Sequence, residues 1–183
     1  MRTFLALELP ENIKDELADL KDELQKYSKD KVKWIPRENL HITLQFIGKT
    51  YPEDIKEIAA YTAQHFQKIG SLEMESPRLQ IIPSRNPRII WVSLLTENKQ
   101  IFKVSKRIKR KLEQLGYELD KKPLKLHVTL GRVKKRLPEN FIDFLLTREV
   151  KISQFKVPEM VLYRSYLKPT GPVYEKLVQI PKE

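Results

Sequence analysis

Cysteine is absent from these 183 residues. That excludes disulfide staples and thiolate metal centres, and it fits a reducing compartment. No apolar run is long enough to cross a bilayer, and the opening Met1-Arg2-Thr3-Phe4 begins no apolar signal core. A cytoplasmic protein without a membrane partner is therefore expected. Glycine is scarce, at five, and no stretch rich in Gly, Pro or Ser divides the chain. One domain over residues 1–183 is expected, and a monomer. Histidine is scarcer still, at three, and the placement of those three is informative.

What the chain has in excess is positive charge, +11 net, and it is unevenly spread. Residues 1–92 carry 14 Lys/Arg against 14 Asp/Glu, whereas residues 93–183 carry 21 against 10. The excess gathers in Lys99–Lys111 and in Lys121–Arg136. A run of this kind on a helix, as at Lys99–Lys111, is often only a solvated face. Beside a phosphate-handling site it points to a polyanionic substrate.

Two of the three histidines head the same phrase, 86 residues apart: His41-Ile42-Thr43-Leu44 and His127-Val128-Thr129-Leu130. Each lies in a strand-like run, Leu40–Ile47 and Leu124–Val133. With a period of two, His and Thr share one face of each strand and the apolar residues share the other. Facing one another, such strands would make a cleft with two imidazoles and two hydroxyls. A neutral imidazole takes a proton and a charged one gives it. The Thr43 and Thr129 hydroxyls can donate to phosphate oxygens. Which His is acid and which base is open at this stage, because their contexts are alike. The third, His65, sits in a helical stretch without such a context and reads as structural. Arg132 can add charge near a phosphate, but by strand parity it points away from His127 unless a bulge turns it. Phe46 and Trp91 read as core, while Ser165 and Tyr166 are weaker candidates for the cleft. No carboxylate lies in either motif and the two His are not at helix spacing, so no metal is expected.

Periodicity places the remaining elements. Thr3–Leu9 alternates as a strand, and Ile13, Leu17, Leu20, Leu24 and Tyr27 mark an amphipathic helix. A helix from Pro52 to Phe66 follows the first motif. Strands at Leu72–Ile82 and Arg88–Thr96 flank Pro83-Ser84-Arg85-Asn86-Pro87, which has turn chemistry. Ile101, Val104, Ile108, Leu112 and Leu115 mark a third helix, capped by Asn98. After the second motif come a short helix, Pro138–Leu146, and a strand region, Ile152–Tyr166, broken at Pro158. Thr170-Gly171-Pro172 turns the chain into a last strand, Val173–Ile180. Helices mixed with antiparallel hairpins predict an α+β fold.

The run from Trp34 through Asn39-Leu40-His41-Ile42-Thr43-Leu44 to Phe46 and Gly48, with Leu126-His127-Val128-Thr129-Leu130-Gly131-Arg132, resembles the paired motifs of the 2H phosphoesterases. Within them the chain is most similar to the RNA 2′,3′-cyclic phosphodiesterases, also called 2′-5′ RNA ligases. The likeness extends to Arg2-Thr3-Phe4-Leu5-Ala6-Leu7 and to Ser165, Leu167, Gly171 and Tyr174. It implies two antiparallel-sheet lobes about a central cleft, helices outside, and both chain ends in one lobe. It implies metal-independent hydrolysis of RNA ending in a 2′,3′-cyclic phosphate to a 2′-phosphate, with no cofactor. His41 would be the proton donor to O3′, His127 the proton acceptor from water, and Thr43 and Thr129 the phosphate holders. Open alternatives are RNA-end ligation by the reverse reaction, a small cyclic-nucleotide phosphodiesterase, and a basic RNA-binding module without catalysis.

Overall fold

In the computed structural model, which describes residues 1–169 and 171–181, the elements follow the predicted order with two short strands added. They are β1 (Arg2–Leu7), α1 (Glu11–Ser28), β2 (Val32–Trp34), β3 (Ile42–Lys49), α2 (Ile55–Phe66), β4 (Glu73–Ile82), β5 (Ile89–Leu95), α3 (Gln100–Gln114), β6 (His127–Val133), α4 (Glu139–Thr147), β7 (Phe155–Lys156), β8 (Glu159–Lys168) and β9 (Gly171–Pro181). The additions are β2 and β7, and the break expected at Pro158 separates β7 from β8. Thr170 of the predicted turn lies outside the described residues. None of the described helices is long and apolar enough to cross a membrane.

The fold is α+β, and its sheet explains the two lobes. Strand order is β7-β4-β5-β6-β3-β1-β8-β9, with β2 also on β6, and the pairings are antiparallel. One lobe is β3-β1-β8-β9 and holds both the first and the last strand. The other is β7-β4-β5-β6 with β2. A single residue pair, Ile42 with Val128, joins β3 to β6 and so joins the lobes. Both residues are fully buried. The main core runs through both lobes beneath the sheet, gathering Leu5, Leu7, Ile42, Val92, Val128 and Leu162 with the stripes Ile13/Leu17/Leu24 of α1 and Ile101/Val104/Ile108/Leu112 of α3. Each such side chain contributes about 1.5–3 kcal/mol on leaving water. A second, small cluster of Phe4, Ala6, Val161 and Tyr163, with Tyr174 against it, lies on the other face of the first lobe.

Bulges break the strict alternation assumed from sequence. Along β1 the partner jumps from Gln45 at Leu5 to Thr43 at Ala6, and from Gly48 at Thr3 to Phe46 at Phe4. Each extra residue in β3 flips the parity beyond it. Phe46 is therefore not core: it is 62% exposed, with its ring 5.8 Å from that of Phe4, and Ile47 is buried instead. In β6 the partner of Ile90 is Gly131 but that of Trp91 is Thr129, which leaves Leu130 extra.

Gly131 is also where β2 crowds β6. A Cβ there would lie 2.6 Å from Val32 Cγ1 and 2.9 Å from the Trp34 ring, both on the paired strand. Val32 is buried and Trp34 is fixed by donating from Nε1 to Ser28 Oγ at 3.0 Å, so neither yields freely. Gly131→Ala is expected to destabilise by about 1–3 kcal/mol, the usual cost of overpacking. Chemical denaturation checks this, and an unchanged midpoint would show that β2 moves without cost.

Candidate active site

The Ile42–Val128 pair fixes the geometry of both motifs. In an antiparallel ladder the neighbours of that pair come opposite each other, Thr43 toward His127 and His41 toward Thr129. All four flank two buried apolar residues, so all four belong to the opposite, open face. A local two-fold axis through the pair relates His41 to His127 and Thr43 to Thr129. Diagonal neighbours in a regular ladder sit roughly 7–8 Å apart. The strands diverge beyond this single pair, which makes the junction the floor of a cleft between the lobes.

Each ring is oriented by its own backbone. His41 Nδ1 lies 2.7 Å from the Asn39 carbonyl, and His127 Nδ1 lies 2.7 Å from the Lys125 carbonyl. A carbonyl only accepts, so Nδ1 carries the hydrogen in both rings and the neutral imidazole presents a lone pair at Nε2. His41 Nε2 is 3.0 Å from Thr43 Oγ1. Asn39 is anchored in turn: its side-chain NH2 donates to the Pro172 carbonyl at 2.9 Å, tying the first motif to the start of β9.

The surroundings of the two imidazoles differ. His41 stands in an aromatic wall, with ring centroids 5.0 Å from Phe4, 5.5 Å from Tyr174 and 6.3 Å from Tyr163. Burial pushes its pKa down from 6.5 to about 4, opposed by the Asn39 carbonyl and by the charge of Glu8, and reinforced by His127. His127 lies 4.0 Å, centroid to centroid, from Trp91. Burial lowers its pKa too, against the Lys125 carbonyl. Burial thus favours the neutral imidazole at both positions.

Glu8 is the group that sequence reasoning passed over. Its buried carboxylate is 2.6 Å from the buried Lys14 ammonium and 3.2 Å from Lys176, and it accepts from the Tyr163 hydroxyl. Burial alone would raise its pKa, but Lys14, Tyr163 and Lys176 outweigh this and the net direction is down. The carboxylate pins Tyr163, which stacks on Phe4 at 5.2 Å, and Phe4 backs His41. The available signal was one acid at the end of an otherwise apolar strand run.

The other predicted residues divide. Trp91 is not core: it is partly exposed, opposite Thr129 on the His127 face, and its Nε1 donates to Gln80 Oε1 at 2.9 Å. The Leu130 bulge does for Arg132 what parity alone did not. Arg132 pairs with Ile89, which shares a face with Trp91, and its charge reaches Tyr174 on the opposite lobe. Ser165 lies opposite Tyr174 and shares the Tyr163 face. Tyr166 is on the reverse face, under Arg164 and donating to Glu175 at 2.5 Å, so it does not enter the cleft. His65 stacks on Tyr61 at 4.3 Å on α2, away from both motifs. Among the described residues no three His, Asp or Glu side chains gather as a metal site requires.

Comparison with known proteins shows what the chain is similar to. The family model described as LigT like Phosphoesterase matches residues 7–91 and 94–174. An RNA 2′,3′-cyclic phosphodiesterase of Methanocaldococcus jannaschii is 32% identical over 181 residues, covering 96% of this chain and 97% of that protein. One of the same name from Thermotoga maritima is 28% identical, covering 98% and 94%. Among solved structures, TT0787 of Thermus thermophilus superposes with a TM-score of 0.83 at 24% identity, covering 99% of this chain and 97% of that one. E. coli LigT complexed with 3′-AMP superposes with a TM-score of 0.75 at 18% identity, over 99% and 97%.

Proposed function

The chain belongs to the LigT-like phosphoesterases, and from that premise we propose that it hydrolyses RNA terminal 2′,3′-cyclic phosphates to 2′-phosphates with two histidines and no metal. The observation that carries the reading is the meeting of the two His-x-Thr strands at Ile42–Val128. It puts two imidazoles and two hydroxyls about one point, related by a local two-fold axis. A phosphorus on that axis has an imidazole on either side, as in-line displacement needs.

In this mechanism water attacks phosphorus while His127 Nε2 takes its proton. The P–O3′ bond breaks and His41 Nε2–H protonates the departing O3′. The products are a 2′-phosphomonoester and a free 3′-hydroxyl, and exchange with solvent returns both rings to their starting states. Thr43 and Thr129 donate to the non-bridging oxygens, where charge builds up, and Arg132 adds positive charge from the rim. His41 must hold a proton although burial pushes its pKa down to about 4. The phosphate anion of the substrate supplies the further field that raises it, adding to that of Glu8, which already opposes burial. The shared core of the two lobes supports reading residues 1–183 as one working unit; that it acts as a monomer in the cytoplasm is part of the same proposal.

The test is an oligonucleotide ending in 2′,3′-cyclic phosphate, given to the protein with excess EDTA and followed to its product. The initial rate should match that without chelator, and the phosphate should remain on O2′. A rate lost with EDTA and restored by zinc, manganese or magnesium would overturn the two-histidine chemistry. A 3′-phosphate product would reverse the assignment of the leaving oxygen.

A further inference from the structure

A groove of about 930 Å³ opens where the His127 wall ends. Arg132 and Ile89 belong to both: they pair across β5 and β6 on the cleft face, and they line the groove. Beyond them the walls come from two segments far apart in sequence, the β4–β5 turn with Arg85 and Arg88, and the chain after β6 with Lys134 and Arg136. Backbone bonds clamp this second segment in place, Val133 N–H to the Arg88 carbonyl and Lys134 N–H to the Lys31 carbonyl, each at 2.8 Å. Lys135 is held aside by its ion pair with Asp30. Among the described residues, Arg85, Arg88, Arg132, Lys134 and Arg136 have no carboxylate partner within salt-bridge distance. Glu139 is the one acid among the described residues of the lining.

We propose that this groove seats the backbone phosphates of the single RNA strand leading to the cyclic end. The proposal rests on the phosphodiesterase reading above and extends it from the reacting phosphate to its upstream neighbours. These five exposed cations, none with a carboxylate partner among the described residues, concentrate positive potential in one concavity, which attracts a polyanion. The volume is that of a ligand-sized site, enough for a short stretch of strand and not for a duplex. Continuity at Arg132 gives the strand a path, from the reacting phosphate at the cleft floor over the rim and into the groove. Among the described residues no aromatic side chain lines it, so there is no platform for base stacking. Phosphate contacts position a strand without reading its sequence, so the groove should confer length dependence without base preference.

The experiment compares the natural protein with a triple variant, Arg85→Ala, Arg88→Ala and Arg136→Ala, which leaves Arg132 and both motifs intact. Binding of a fluorescent single-stranded RNA with a 3′-hydroxyl end is measured over a salt series. Turnover is measured on a cyclic mononucleotide and on an oligonucleotide ending in cyclic phosphate. The triple variant should bind RNA roughly tenfold more weakly, with a log–log salt slope flattened by about two, since each lost contact to a single strand removes roughly 0.7. Its kcat/KM should fall on the oligonucleotide, through KM, and be unchanged on the mononucleotide. A matching Arg→Lys triple should keep the salt slope, because the slope counts charges. Equal affinity and slope in the natural and Ala proteins would overturn the proposal, as would a parallel loss on both substrates. If the natural protein cleaves neither substrate but the slope still flattens, the groove assignment stands and the reaction assignment falls.

Discussion

Replacing either His41 or His127 by Ala is expected to lower kcat/KM by about 10²–10⁴-fold, the usual contribution of a positioned acid or base. The two rings are held in matching ways, each by Nδ1–H to the carbonyl two residues earlier, so each presents Nε2 to the reacting centre. In the proposed mechanism, losing His127 would leave water without an acceptor, and losing His41 would leave O3′ to depart as an alkoxide. The double variant should be little worse than either single one, because groups acting in one transition state are not additive. His65→Ala is the control and should be near neutral, since His65 stacks on Tyr61 away from the cleft. Measured rates with thermal midpoints separate lost chemistry from lost folding. A His127→Ala protein with ordinary activity would remove the base from the scheme.

The second large effect falls on the threonines, and it should be unequal. Thr43→Val and Thr129→Val each remove a donor to developing charge. A loss of roughly 10- to 100-fold is expected, somewhat below the cost of deleting an oxyanion donor in a tighter site. Thr43 also touches His41 Nε2 at 3.0 Å, whereas among the described residues no such bond fixes His127 to Thr129. Thr43→Val should therefore sit at the upper end of that range and Thr129→Val at the lower. Steady-state kinetics on one cyclic mononucleotide decide it, with the loss appearing in kcat more than in KM. Unchanged kcat in both would mean the hydroxyls do not contact the phosphate.

The helices were legible because their apolar stripes keep a 3.6-residue period and each buries one face, as in α1 and α3. The motif strands were legible because His and Thr alternate with fully buried Ile42 and Val128. The bulges were not, since an extra residue in a strand leaves no mark on composition, and yet it decides which face everything beyond it takes. That is why strand parity alone turns Phe46 inward and Arg132 outward, each opposite to where the bulge puts it. Trp91 misleads for a different reason: a large aromatic ring alternating with buried residues looks like core, and only the pairing with Thr129 reveals its face. The Glu8 network joins the segment just after β1, helix α1 and strands β8 and β9, and no local pattern foretells such a meeting. The basic groove had the same difficulty, because Arg85 and Arg88 lie in the half of the chain with no net charge.

In the proposed mechanism one imidazole acts charged and the other neutral in the same transition state. The pH dependence of kcat/KM on a cyclic mononucleotide tests it most directly, because it reports the ionisations of the free protein. Burial lowers both histidines, His41 to about 4 and His127 below its ordinary value, so both limbs should lie on the acid side of 6.5. Below the lower limb the acceptor is lost to protonation, and above the upper limb the donor is lost to deprotonation. The two values belong to the pair rather than to either ring. In kcat the limbs should move upward, since the bound phosphate anion favours imidazolium. A bell-shaped profile that moves in this way is the predicted result. A rate that is flat with pH, or that only falls as pH rises in step with weakening phosphate binding, would contradict paired acid–base catalysis.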